Sequence, residues 1–394
     1  MSDRGERLVD LSEVVGWQRP PLPPGSAIGI LGSGQLGRML AQAAARLGFN
    51  VHIYCPTSGP AFDVSRHTTK AAFDDRAALT VFAERVDVIT YEFENVPVDA
   101  VRLLAGRKPV APGLQALSVA QDRLSEKTFL RDLGLPLARF ESVDSEAALA
   151  AALQTLDAPC LLKTRRFGYD GKGQVALQPG DDVALAWQEM AGHPAVLEQR
   201  VSFAQELSVL LVRGRDGGMA SYDCPTNTHQ DGILRSSVVP GDLPLSVYTQ
   251  AVAMAEKVAT ALDYVGVLAV ELFYTGGEAN GSDAAGDAGP DAGGTPGVPL
   301  VINEIAPRVH NSGHWTSEAC VVDQFENHMR AIAGWPLGPC GRHSDCEMTN
   351  LLGDDVAGWL DLARESEGRL HIYGKREARD GRKMGHITRL KQRT

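Results

Sequence analysis

The chain has 394 residues, 44% apolar and 22% charged, an ordinary globular balance with enough length for two or three domains. Its formal net charge of −11 repels phosphate backbones and anionic headgroups, which argues against non-specific nucleic-acid or membrane-surface binding but leaves room for a local basic pocket. No apolar run approaches the ~18 residues of a membrane span, and the six cysteines have no paired spacing, as in a reducing cytosol.

Met1–Pro24 is polar, ends in prolines and lacks the pattern of a secretion signal, so it reads as a solvated tail. Ala27–Leu31 reads as a buried strand, followed by a glycine turn and a helix. Leu36, Met39, Leu40, Ala43 and Leu47 share one face of that helix, and Gly48 and Asn50 close it. Val51–Tyr54 and Val88–Tyr91 read as further strands. Strands alternating with helices predict a parallel sheet, ending near Pro112.

From Ser125 the pattern changes. A helix through Phe129–Leu133 is followed by strands at Cys160–Thr164, at Gln174–Leu177 and around Leu197. The first two are joined by a dense glycine loop, which suggests a small lid. Strands at Leu207–Val212 and Ile233–Val239, a long helix at Leu245–Leu262 and a strand pair, Val265–Tyr274 with Leu300–Ala306, follow. Thr275–Pro299 between that pair is almost entirely Gly, Ala, Asp, Pro and Thr. It offers little apolar surface against its ordering entropy and reads as a disordered hairpin insertion. The last part holds short strands, a helix at Asp355–Ala363 and a basic end, Lys375–Thr394.

Six motifs carry chemistry. Gly32-Ser33-Gly34-Gln35-Leu36-Gly37 lies between a strand and a helix, where free amides can hold a phosphate. A dinucleotide site expects an acidic residue about 20 positions on. Tyr54-Cys55-Pro56 supplies none, so another phosphate ligand or a purely structural turn is left. Glu92 and Glu94, in Thr90–Pro97, lie at the C-terminal end of a parallel strand, as crevice groups or on a solvated loop. Lys163 ends a strand before Arg165–Gln174, whose glycines and charges suit a phosphate lid better than a plain hairpin.

Glu271 and Glu304 each sit inside an apolar strand. On neighbouring strands they would repel unless a cation lay between them, and magnesium suits carboxylate plus phosphate oxygen; the bland alternative is one salt-bridged and one edge glutamate. Ala306–Trp315 follows directly, with Arg308 able to stabilise charge on a transferred phosphoryl or acyl phosphate. The basic run Lys375, Arg376, Arg379, Arg382 and Lys383 either closes on a phosphate or is a solvated tail. Zinc at Cys340, His343 and Cys346 lacks a second cysteine pair.

Together these stretches, with Asn227–Arg235 and Gly381–His386, resemble the 5-(carboxyamino)imidazole ribonucleotide synthase family of the ATP-grasp superfamily, from Ala27 to His386. The resemblance implies an α/β ATP-grasp fold. It would comprise a tail (1–24), an N-terminal Rossmann-like pre-ATP-grasp domain (25–122), a central lid (123–203) and a C-terminal α+β grasp domain (204–394) with the insertion 275–299.

By the same carry-over, Lys127 and Lys163 hold phosphates of ATP under the loop Gly168, Tyr169, Asp170, Gly171, Lys172, Gly173 and Gln174. Glu198, Gln199, Arg200 and Val201 meet the adenine, Glu206 accepts from the ribose, and His229 lies by the nucleotide. Glu271 and Glu304 bind magnesium, or manganese in its place, beside Asn303. Arg308 and His310, with Tyr169 and Asp170, are the catalytic candidates, the first two at bicarbonate and the reacting amine. Glu92 and Tyr169 contact the aminoimidazole ribonucleotide, whose phosphate meets the turn at Gly34, Gln35 and Leu36 and the side chains of Lys375, Arg382 and Lys383.

The implied chemistry is formation of carboxyphosphate from bicarbonate and ATP. The ribonucleotide's exocyclic amine then takes the carboxyl group, in purine biosynthesis. A cytoplasmic homodimer is implied as well. Ser33 and the Tyr54-Cys55-Pro56 strand end depart from the family pattern and touch only ribonucleotide binding. The competing readings are a formate-using ribonucleotide transformylase, a biotin carboxylase, a nicotinamide-dependent oxidoreductase and a catalytically silent nucleotide binder.

Overall fold

The computed structural model describes residues 20–168, 173–276 and 299–393. Its strands fall into three sheets in chain order. The first holds β1 (Ala27–Leu31), β2 (Asn50–Cys55), β3 (His67–Lys70) and β4 (Val88–Tyr91), all parallel, in the order β3-β2-β1-β4. Ile28, Ile30 and Leu31 of β1 are fully buried, as a strand covered on both faces requires.

The second sheet is antiparallel: β5 (Phe140–Val143), β6 (Cys160–Thr164), β7 (Gln174–Leu177) and β8 (Ala195–Gln199), in the order β5-β8-β6-β7. Its own core, with Val143, Leu149, Leu153, Leu162 and Leu197, includes the helix Glu146–Leu156.

The third sheet has nine antiparallel strands: β9 (Gln205–Arg213), β10 (Met219–Ser221), β11 (Thr226–Gln230), β12 (Ile233–Val239), β13 (Gly266–Tyr274), β14 (Leu300–Ala306), β15 (Asp345–Leu352), β16 (Gly368–Ile372) and β17 (Lys383–Lys391). The order is β14-β13-β9-β11-β12-β15-β17-β16, with β10 on β9. Side chains alternate across it with period two. Leu207, Val209 and Leu211 pack with the helix Leu245–Ala261, while Leu210 and Val212 pack with the helix Gln324–Ala333. On β9 this places Glu206 and Ser208 on the side away from the long helix.

The first and third sheets share one core. The helix Gln35–Arg46 packs on Gln324–Ala333, and Arg46 meets Asp323 at 2.7 Å. His328, fully buried, joins the sheets. Its Nδ1 accepts from the Val267 amide at 3.1 Å and its Nε2 lies 2.9 Å from Thr90 Oγ1. Burial pushes its pKa down to about 3.

The unfolded chain therefore binds a proton here that the folded chain refuses. The stability contribution is whole above about pH 6.5 and is lost as pH falls, by up to about 1.4 kcal/mol per pH unit. Urea unfolding at about pH 7.5 and 5.5 should show a smaller acid loss in His328→Gln than in the parent. An equal loss in both chains would exclude this histidine as the cause.

Two sequence expectations change, and the open reading of the basic end is decided. The solvated tail to Pro24 ends docked: the Leu22 amide donates to Ala333 O at 2.9 Å, and Trp335 Nε1 donates to Leu22 O at 2.8 Å. The helix at Asp355–Ala363 is a 3₁₀ segment, Gly353–Gly358, followed by one α-turn, Trp359–Leu362. The basic end is no solvated tail: Lys383–Lys391 is β17, hydrogen-bonded on both sides, because Met384, Ile387 and Thr388 are buried. Cys340 and Cys346, where zinc was already disfavoured by spacing, are buried, and Asn327 donates to Cys340. The reading of Thr275–Pro299 falls almost wholly outside the described residues; at its base the Thr275 amide donates to Pro299 O at 2.9 Å.

Candidate active site

Strands β1 and β4 are neighbours, and their C-terminal ends open on the crevice where the strand order reverses, the place where α/β sheets hold ligands. The glycine turn after β1 was expected to hold a phosphate. Instead the Glu92 carboxylate fills it, accepting from the Gly34 amide and, at 2.6 Å, from the Gly37 amide. A Cβ on Gly32 would lie 2.4 Å from Glu92 Cγ, and one on Gly34 2.8 Å from Glu92 Oε1. The glycines therefore make room for a side chain of the protein, and those two amides are not phosphate donors. Ser33 has its own role, donating to Thr57 O at 2.8 Å. Burial pushes the Glu92 carboxyl upward, against the pull of the two amides.

Gly34, Gln35, Leu36 and Glu92 nonetheless line one end of a cleft of about 1140 Å³. Lys375, Arg382 and Lys383 line the same cleft. Lys375 Nζ donates to Lys383 O at 2.6 Å and Arg382 to Glu377 O at 2.9 Å, bonds that tie the basic groups to the turn before β17. The positive charge offered at this end of the cleft therefore comes from side chains rather than from a backbone nest.

At the centre of the cleft Glu271 of β13 pairs directly with Glu304 of β14. The register then slips, with Leu272 opposite Ile302. Leu300, Ile302 and Ile305 all enter the core under the long helix, so the slip leaves Asn303 and Glu304 together on the cleft side. Burial, and then Glu304, pushes the Glu271 carboxyl up to about 7. Arg123 approaches Glu304 at 3.2 Å. Glu126, behind them, accepts from the Ile305 amide at 2.5 Å and is raised to about 8 by burial and by Glu304. Two close carboxylates that disfavour each other's charge suit a hard divalent cation, with phosphate oxygens completing its shell.

Arg308 forms a forked ion pair with Glu94, one arm at 3.1 Å. Burial opposes the pair, yet Arg308 holds the Glu94 carboxyl below its usual range and itself stays protonated. His310 Nε2 lies 3.3 Å from Glu271 Oε1, and burial followed by Arg308 pushes its pKa well down, so the ring is neutral.

Toward the second sheet, Lys127 and Lys163 both bind Glu198 Oε2, at 3.1 and 3.0 Å. Lys127 is placed by a helix, Arg123–Asp132, whose cap Asp122 accepts from the Leu124 and Ser125 amides and pairs with Arg165 at 2.7 Å. The cap ties the lysine helix to the loop after β6. Beyond lies a slot of about 100 Å³ lined by Glu198, Gln199, Arg200, Val201, Phe203, Phe273 and Asn303. Phe203 and Phe273 stack at 4.5 Å and 10°, a flat wall for a flat base. Glu206 bonds His229 Nδ1; burial lowers the histidine's pKa, but this carboxylate and Glu271 raise it overall.

Every described candidate residue except Gly173 lines the cleft or the slot. Gly173, at φ +73, flanks the loop and accepts from the Thr164 amide at 2.9 Å. Tyr169, Asp170, Gly171 and Lys172 lie outside the described residues. Sequence reasoning missed Arg123, Glu126, Phe203 and Phe273. The charges flanking Lys127 were a usable signal for the first two. Nothing local marks two phenylalanines 70 positions apart as stacked.

Three families match the chain: the ribonucleotide synthetase pre-ATP-grasp domain over residues 26–121, the ATP-grasp domain over 128–325, and the phosphoribosylaminoimidazole carboxylase C-terminal domain over 346–394. The N5-carboxyaminoimidazole ribonucleotide synthase of Brucella melitensis is 48% identical over 95% of this chain and 98% of its own length. A solved N5-carboxyaminoimidazole ribonucleotide synthetase in complex with ADP superposes with a TM-score of 0.86, at 37% identity over 95% of both chains. The Aspergillus clavatus N5-carboxyaminoimidazole synthase, in complex with ADP and 5-aminoimidazole ribonucleotide, superposes with a TM-score of 0.80, at 29% identity over 93% of this chain and 94% of that one.

Proposed function

The chain belongs to the N5-carboxyaminoimidazole ribonucleotide synthase family of ATP-grasp ligases, and we propose from this that it carboxylates 5-aminoimidazole ribonucleotide with ATP and bicarbonate, in purine biosynthesis. The carrying observation is one cleft with a flat nucleotide slot at one end, a carboxylate pair and a paired arginine at its centre, and a lysine–arginine wall at the other. Among the described residues that line it there is no cysteine and no serine, and the hydroxyl of Ser312 beside His310 is fully buried, so the chemistry is positioning and charge stabilisation.

ATP lies with its base against Phe203 and Phe273, its ribose toward Glu206 and its phosphates drawn to Lys127 and Lys163, which exchange Glu198 for phosphate oxygens. Glu271 and Glu304 hold magnesium, which shields the phosphate charge when bound. Bicarbonate oxygen attacks the γ-phosphorus, ADP leaves, and carboxyphosphate results. Arg308 faces the negative charge that develops on it, fixed in direction by Glu94. The exocyclic amine of the ribonucleotide takes the carboxyl group, loses a proton, and phosphate departs. The ribonucleotide phosphate binds Lys375, Arg382 and Lys383, with Glu92 beside the imidazole. The loop Gly168–Gln174 closes over the ATP phosphates, and the working unit is a cytoplasmic homodimer.

Phosphate release from ATP and bicarbonate, followed with and without 5-aminoimidazole ribonucleotide, tests the reaction. Strong stimulation by that ribonucleotide, and none by glycinamide ribonucleotide with formate, is the expected result. No stimulation by the aminoimidazole compound would remove the named substrate while leaving the ATP-grasp assignment in place.

A further inference from the structure

A line of buried polar side chains runs from the middle of the third sheet to His310. Ser237, Ser208 and Ser312 are fully buried and Asn227 is 6% exposed. Ser237 Oγ donates to Asn227 Oδ1 at 2.7 Å, and Asn227 Nδ2 donates to Ser208 Oγ at 3.0 Å. Ser208 Oγ donates to Ser312 Oγ at 2.7 Å, and Ser312 Oγ lies 2.9 Å from His310 Nδ1.

A serine hydroxyl has one proton, so such a line has one direction. Its end is set independently: the Ser312 backbone amide, which can only donate, points at the same Nδ1 at 3.4 Å. Nδ1 is therefore an acceptor, Ser312 donates to it through both groups, and each earlier member must pass its proton the same way. The imidazole proton is left on Nε2, which faces Glu271 at 3.3 Å. The backbone of His310 is held too, its amide donating to Gln324 Oε1 at 2.8 Å and its carbonyl accepting from Gln324 Nε2 at 2.7 Å.

We propose that the buried relay Ser237–Asn227–Ser208–Ser312 fixes His310 as its Nε2–H tautomer, so that His310 offers the reacting carboxyl oxygens a hydrogen-bond donor and not a base. The four are positioning residues; His310 is the group they orient. The functional half of this statement rests on the placement of His310 at bicarbonate given above; the tautomer does not. A donor with no proton to accept suits an oxygen gaining negative charge, and it leaves the amine proton to another acceptor, such as the departing phosphate. The charged and titratable groups around the ring are Glu271, Arg308, Lys383, His314 and His229. Those beside Asn227 are Glu206, opposite on β9, and His229, on its own strand.

The first test is the ¹⁵N spectrum of histidine-labelled protein without substrates, with His310 assigned by comparison with His310→Gln. A protonated Nε2 and bare Nδ1 are expected; a proton on Nδ1 overturns the proposal, whatever the protein's substrate proves to be. The second test reverses the relay with almost no change of shape. In Asn227→Asp the introduced carboxyl, once ionised, can only accept from both serines, which turns Ser208 and Ser312 away from His310. While protonated, it can donate to Ser208 as the amide does.

The ratio of variant to parent kcat should therefore fall by about tenfold or more as pH rises through the titration of that carboxyl. KM for ATP should stay within about twofold. A ratio that is flat with pH in a folded variant would overturn the relay, since loss of packing alone carries no such pH dependence. If that variant does not fold, Ser312→Ala carries the same prediction in the spectrum: with the hydroxyl gone, part of the His310 population should shift its proton to Nδ1. An unchanged tautomer population would count against the relay.

Discussion

Arg308→Met is expected to lower turnover by about 100-fold or more while KM for ATP changes little. The side chain lines the cleft half-buried, donates to Glu94 through two arms and to Val309 O at 3.2 Å, and stays protonated. A guanidinium already held by the protein needs no rearrangement when charge appears on a neighbouring phosphoryl or carboxyl oxygen. That readiness is what makes a fixed charge effective in a site shielded from water. On the reading proposed above, its loss acts on the transition state more than on bound nucleotide, because the groups assigned to ATP lie on other elements. Arg308→Lys, which keeps the charge but cannot fork, should recover only part of the rate. Steady-state kinetics decide: unchanged kcat with weaker nucleotide binding would remove Arg308 from the chemistry. Thermal melting should accompany the measurement, since Glu94 loses its partner in Arg308→Met and one arm of the fork in Arg308→Lys.

Glu304→Gln is expected to cost about 100-fold or more at limiting magnesium, close to 3 kcal/mol at about 1.4 kcal/mol per tenfold. Excess metal should restore part of the loss. The substitution removes one of two carboxylates directly opposed across β13 and β14 and leaves shape almost unchanged. It also releases Arg123, 3.2 Å away, and removes the repulsion that raises Glu271 and Glu126. Magnesium titration of phosphate release reads the effect. Full turnover at limiting magnesium would show that Glu304 does not hold the cation.

Much of this architecture was legible because local pattern and tertiary fold agree. The strands Ala27–Leu31, Cys160–Thr164, Gln174–Leu177, Ile233–Val239 and Leu300–Ala306 occur as the periodicity predicts, since their apolar faces are buried on the sides the pattern names. The strands that were missed, β3, β5, β10 and β11, are short and only partly buried, so hydrophobic spacing marks them weakly. The short 3₁₀ and α segment at Gly353–Leu362 looked like a longer helix because its exposed residues carry helix-compatible types. The basic end stayed open between a phosphate contact and a solvated tail because the charges of β17 flank the buried Met384, Ile387 and Thr388.

By itself the sequence carried the family resemblance, the parallel first sheet, many of the later strands and most of the chemically able residues, for these depend on spacing and motifs along one dimension. Tertiary structure decided how those residues are used, because partners far apart in the chain set each group's charge and direction. Glu92, 58 positions from Gly34, takes the amides that a phosphate was expected to hold. A register slip, invisible to period two, brings Asn303 and Glu304 to one side. Glu94, 214 positions from Arg308, aims the guanidinium. Three serines and an asparagine from separate elements decide which nitrogen of His310 carries its proton, because a buried hydrogen bond must have a donor and an acceptor, and only packing chooses which neighbour is which.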